Sequence, residues 1–151
     1  MKNRRRYFGQ SLIEFALILP VLLLLITGFL DLGRAVFYYS SLTNAVREAT
    51  RYAIVNHDAL VEAHADNNNN SLQDKVLEYA FGLTVVPNPL LKEDIEVYPD
   101  RDDSDRYFTT VLIRATYTYI PITPGITLLF GAGEGIDLVV QSQMVVTPGS
   151  R

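Results

Sequence analysis

Cysteine is absent from the 151-residue sequence, so neither a disulfide framework nor a thiolate metal site can exist. Catalytic signatures are missing as well: no nucleophile elbow, P-loop or dinucleotide fingerprint occurs. Gly131-Ala132-Gly133-Glu134-Gly135 has the glycines of a phosphate loop, but no lysine follows and no helix opens after it, and it reads as a flexible connection between strands. Charge is scarcest between Ser11 and Leu30, where Glu14 is the only ionisable side chain. The formal net charge of −4 gives a polyanion no footing, which argues against nucleic acid as a partner. These absences describe a non-catalytic chain that needs no cofactor.

What is present begins with the apolar run itself. As a helix, Ser11–Leu30 rises about 30 Å, the thickness of a hydrocarbon core, and it can span a membrane once. Lys2, Arg4, Arg5 and Arg6 crowd its N-terminal side, whereas Asp31 and Arg34 balance on the other. The positive-inside bias therefore puts the N-terminus in the cytoplasm and the bulk of the chain outside. Pro20 is expected to kink the helix, which membrane helices tolerate. A cleaved secretory signal is the rival reading, but Thr27-Gly28-Phe29-Leu30-Asp31 offers no small-x-small site. Glu14, a carboxylate inside a span, points to a function and to a partner.

No Gly or Pro interrupts Arg34–Ile54, so the membrane helix is expected to continue outward as a stalk, giving a rod of about 65 Å from Leu12 to Ile54. Ala35, Tyr38, Tyr39, Leu42, Ala45, Val46, Ala49, Tyr52 and Ala53 form one apolar face at heptad spacing. Either the chain's own sheet covers that face or a partner helix does.

Beyond the stalk, His57, Asp58, Glu62, His64 and Asp66 lack the spacing of a ligand set and read as a solvated helix end. Asn67–Asn70 reads as a loop. Ser71 with Asp74 forms a weak capping box for a short second helix that Gly82 can close, and Pro87-Asn88-Pro89 ends it. Ile95 and Val97 alternate in a strand ending at Pro99. In Tyr107–Ile120, Tyr107, Val111, Ile113, Ala115, Tyr117 and Tyr119 share a face opposite Thr110, Arg114, Thr116 and Thr118; Ile136–Val146 alternates likewise. The fold class expected is α+β, a long helix packed on an antiparallel sheet of about three strands, with a second short helix. Four carboxylates within Asp100–Arg106 resemble a calcium loop but lack its glycine and its terminal glutamate, so a solvated hairpin loop is expected. Ile126–Phe130 is apolar, and is either core or an interface patch.

Gly9-Gln10, followed by Glu14-Phe15 after a basic leader, resembles the cleavage site of the type IV pilin superfamily, and in particular its tight-adherence (Flp) branch. Asp31-Leu32-Gly33-Arg34 and Val46-Arg47-Glu48-Ala49-Thr50-Arg51-Tyr52-Ala53 resemble the TadE-like family; its usual wording has Gly-Ala where Ala49-Thr50 stand here. The Pro-rich turn, glycine-rich loop and closing strand are similar to the family's C-terminal part. The resemblance implies a pilin-like subunit with three parts: a leader, residues 1–9, removed by a prepilin peptidase; a transmembrane helix, residues 10–33; and an extracytoplasmic domain, residues 34–151. Loss of the leader's four basic side chains would take the formal charge from −4 to −8. It further implies a minor pilin or pseudopilin in the bacterial cytoplasmic membrane, with the major Flp pilin, other minor pilins and an inner-membrane assembly platform as partners. Gly9 and Gln10 would be the processing site, and Glu14 with Phe15 the assembly carboxylate and its neighbour. Glu14 would pair with the new amino terminus at Gln10 of another subunit. Other readings are a pseudopilin of another secretion system, a filament-biogenesis factor, a single-pass binding module with an uncut leader and, without any motif behind it, an anchored hydrolase.

Overall fold

The computed structural model describes residues 7–66, 70–101, 107–123 and 135–146. One helix, α1 (Tyr7–Val55, 49 residues), runs through both the apolar segment and the stalk without a break. Pro20 lies inside it, on an exposed stretch. Its most apolar 18-residue window has a mean hydropathy of 2.5 and no buried share, so α1 is long and apolar enough to cross a membrane. At Asn56 the backbone turns extended and α2 (His57–Ala65) begins. Then follow α3 (Ser71–Tyr79) and α4, a single turn at Phe81–Thr84 that contains Gly82. The cap of α3 lies one residue earlier than the sequence suggests. Asn70 accepts from the Gln73 amide at 3.1 Å while the Gln73 side chain accepts from the Asn70 amide at 3.2 Å, a reciprocal box.

The sheet is antiparallel in the order β1-β2-β3, with β1 at Ile95–Arg101, β2 at Phe108–Tyr119 and β3 at Ile136–Val145. The architecture is α+β: a long N-terminal helix, short helices and three strands. Two strand details depart from the sequence reading. β1 passes through Pro99, which an edge strand tolerates because its outer side needs no donor. In addition, the register slips between Asp100 and Arg101, so that Asp100 faces Thr110 but Arg101 faces Phe108. The extra residue of this bulge reverses the alternation. Phe108 consequently enters the core, and Tyr107, expected there, is exposed.

From the sheet, Ile95, Val97, Val111, Ile113, Ala115, Tyr117 and Val140 are buried against the stalk and α3. Across from them the stalk buries Leu42, Ala45, Val46, Ala49 and Ala53, while Ala35, Tyr38 and Tyr52 are half-buried at its edges. The small residues recur every four positions, which lets other elements approach the helix axis. Two positions differ from the expected face. Tyr39 is 49% exposed and points away from the domain; Thr50, placed on the polar side by its chemistry, is buried and donates its hydroxyl to the Val46 carbonyl at 2.6 Å.

Candidate functional site

Two places on α1 carry chemistry. The first is its N-terminal turn. Gly9, Gln10, Glu14 and Phe15 all lie on exposed helix, and a Cβ at Gly9 would meet nothing within 4 Å. Gln10 and Glu14 share one face four residues apart, and the Gln10 amide donates to the Glu14 carboxylate at 3.4 Å. Nothing in the folded domain covers this turn among the described residues, so the peptide bond after Gly9 and the Glu14 carboxylate are both open to another molecule.

The second is the point where the apolar run ends. Asp31, one residue past Leu30, is only 4% exposed. Its carboxylate accepts the Ile122 amide at 3.0 Å on one oxygen and the Thr123 amide at 2.6 Å on the other. The Tyr119 hydroxyl lies 3.0 Å from both that first oxygen and the Asp31 main-chain carbonyl. The Thr123 hydroxyl is buried in the same socket, and among the described residues no partner stands in bonding geometry to it. A carboxylate that takes two amides and a phenol has its desolvation offset by charge-assisted hydrogen bonds.

Around this socket the side chains are aromatic and cationic. Arg34 lies 3.5 Å from the Asp31 carboxylate and donates to the Tyr38 hydroxyl at 3.5 Å. Its guanidinium carbon sits 5.6 Å from the ring centres of both Tyr38 and Tyr119. Tyr38 meets Tyr117 and Tyr119 edge-on at 5.7 and 5.8 Å. Burial, and then the hydrogen bond to the Asp31 carboxylate, pushes the Tyr119 phenol up to about 12, so it remains a donor at any physiological pH. Burial raises Tyr117 too, and the hydrogen bond with Tyr38 is the leading cause that raises Arg34. A cleft of about 310 Å³ opens here between Arg34, Tyr38, Asn88, Tyr117 and the turn at Pro121 and Ile122. Asn88 closes one side by donating to the Thr118 carbonyl at 2.6 Å.

The sequence marks Asp31 and Arg34 as a charge-balanced pair in a family-like stretch but not as a socket; the partners of Asp31 lie some 90 residues downstream, beyond the reach of local spacing. Gln73 is likewise unmarked. It is buried and holds α3 to the start of β1 by donating to the Lys92 carbonyl at 3.2 Å and the Ile95 carbonyl at 2.7 Å. His57 and His64 sit edge-on to the Phe108 ring at 5.5 and 5.9 Å, and Arg101 lies over that ring at 4.6 Å. Among the described residues no three His, Asp or Glu side chains converge on a metal-sized site. Most of the Asp100–Arg106 loop and all of Ile126–Phe130 lie outside the described residues.

Compared with known families, residues 9–51 match the model described as TadE-like protein. The matched stretch takes in Gly9, Glu14, the Asp31–Arg34 pair and nearly the whole stalk, so the likeness to that family covers α1 and stops short of the sheet. Neither the curated proteins nor the solved structures gave a match.

Proposed function

From its likeness to the TadE-like family over residues 9–51, we propose that this protein is a non-catalytic minor pilin or pseudopilin required to assemble a tight-adherence (Flp) pilus. It is held in the bacterial cytoplasmic membrane by a single pass, with the basic leader inside and the sheet domain outside. A prepilin peptidase cuts after Gly9. Helix-to-helix contacts with the major Flp pilin and other minor pilins then replace lipid contacts along the apolar run. The observation that carries this reading is that α1 is bare from Gly9 to Leu30 while the rest of the chain folds against its distal half.

Glu14 serves register in this scheme. Among the described residues of one chain it bonds to the Gln10 side chain alone, at a long 3.4 Å. Cleavage would create a charged amino terminus at Gln10, a stronger partner when supplied by a neighbouring subunit. A buried charge pair of this kind specifies alignment more than it adds stability.

The direct test is the intact mass of the membrane-extracted protein expressed with and without a matching prepilin peptidase. Loss of residues 1–9, leaving Gln10 first, is the expected result. A leader that persists beside active peptidase would overturn the pilin reading and favour a membrane-anchored binding module.

A further inference from the structure

The turn after β2 has a composition and a position that assembly of a helical filament does not account for. Ile120 and Ile122 are 52% and 71% exposed, with Pro121 between them and no charged residue from Ile120 to Thr123. A solvated turn is ordinarily built from Gly, Asn, Asp or Ser, whose amides and side chains meet water. Here every amide after Ile120 is accounted for: Pro121 has none, and those of Ile122 and Thr123 are held by Asp31 at 3.0 and 2.6 Å. A turn that exposes apolar side chains while the amides of Ile122 and Thr123 are satisfied within the chain is suited to a low-dielectric neighbour.

Its height is fixed by the same bonds. Asp31 follows the last residue of the apolar run, so the turn's backbone touches α1 about one residue's rise, ~1.5 Å, beyond that run's end. Arg34, Tyr38 and Tyr119 stand at the same end of the domain, the residue types that settle at headgroup level. We propose that the Ile120–Thr123 turn is a second membrane contact, in which Ile120 and Ile122 enter the interfacial layer of the bilayer spanned by α1. The partner is lipid, and the contact fixes the tilt of the sheet domain over the membrane. This inference rests on α1 being membrane-spanning.

The chain contains no tryptophan, so single-tryptophan variants report one site each. Ile122→Trp, Leu24→Trp and Val145→Trp, made in the full chain, would be reconstituted in phosphatidylcholine–phosphatidylglycerol vesicles. Nitroxide lipids labelled near the carbonyl end or near the methyl end of the acyl chain would serve as quenchers. Val145 is the exposed control: it is 71% accessible and pairs with Thr110, at the end of the sheet opposite the Tyr119 and Ile136 pair. Ile122→Trp should show blue-shifted emission and lose intensity to the shallow label, Leu24→Trp to the deep label, and Val145→Trp to neither. Ile120→Trp, also exposed, should repeat the Ile122→Trp result and guards against a local folding defect at one position. If Ile122→Trp and Ile120→Trp behave like Val145→Trp while Leu24→Trp is quenched, the inference fails and the anchor stands. An unquenched Leu24→Trp would remove both. Shielding of Ile122→Trp that vanishes on dilution with lipid would identify a second copy as the occupant and overturn the lipid contact.

Discussion

The Tyr119 hydroxyl bonds to Asp31 across 88 residues of sequence, reaching both its carboxylate and its main-chain carbonyl at 3.0 Å. This joint ties the last residue of β2 to the helix at the point where the apolar run stops.

Breaking the joint should loosen the domain from its anchor. A hydrogen bond to a charged group contributes about 1.5–3 kcal/mol, so Tyr119→Phe should lower the unfolding free energy by that order. Asp31→Ala also strands a buried amide at Thr123 and a part-buried one at Ile122 and should cost more, by about a further 1–3 kcal/mol for the buried group. Urea unfolding of the full chain in micelles, followed by tyrosine near-UV dichroism, measures both. Equal midpoints for Asp31→Ala and the parent would show the joint to be inert.

Alkali should act through the same phenol. Tyr119 is raised from 10.0 to about 12 in the folded chain, first by burial and then by Asp31. The protonated form is the one the fold favours. Its stabilisation is therefore complete below pH 10 and is lost as pH rises from about 10 to about 12. Tyr119→Phe should flatten the decline of stability across that window. An unchanged slope would mean that Tyr119 does not contribute to it.

Packing on the stalk should be intolerant of size. Ala49 is fully buried, and a larger side chain there must push the neighbouring elements away; overpacking of this kind costs about 1–3 kcal/mol. Ala49→Leu should lower the thermal midpoint clearly, and Asn44→Leu, on the exposed face, should not. Equal midpoints would argue against a tight stalk interface.

Gln73→Leu should destabilise the α3 to β1 junction. It leaves the Asn70 amide and the Lys92 and Ile95 carbonyls short of a partner, at about 1–3 kcal/mol for a buried unsatisfied group. Faster amide exchange at Asn70 and in the first turn of α3 is the local signature to look for.

Glu14→Ala addresses assembly rather than folding. The side chain is exposed and, among the described residues, bonds only to Gln10, so membrane insertion and the ectodomain's unfolding midpoint should be unchanged. Incorporation into sheared filaments should be lost, and normal incorporation would sink the register role.

Periodicity carried much of the fold. The apolar run and the heptad pattern are both helical signals, and their continuity from Tyr7 to Val55 needs only the absence of a further Pro after Pro20 and of Gly after Gly33. Strict alternation likewise located β2 and β3. Local pattern failed wherever the deciding contact was remote or one residue out of step. The bulge beside Asp100 exchanged Tyr107 for Phe108, and the choice of Asn70 over Ser71 as cap depended on where Gln73 could reach. Pro99 stays in β1 because that strand is an edge, a fact of sheet order. The Asp31 socket was the least legible, since its acceptor lies on the first helix and its donors follow the second strand. Gly9 and Glu14 could be singled out because the pattern that marks them is local, and both lie in the stretch that matches the TadE-like model.

The span between Asp31 and Thr123 also orders events during synthesis. The helix leaves the ribosome first and can enter the bilayer alone, whereas its latch cannot close until the chain has been made through Thr123. Closing so long a loop is entropically slow, so under the proposed topology the newborn chain would pass through an interval with its anchor lodged and its outer domain unfastened. Quality control therefore has a defined window in which to act, and variants that weaken the latch would lengthen it. Pulse-labelled chains would then stay sensitive to externally added protease for longer, even where the final yield of folded protein is unchanged.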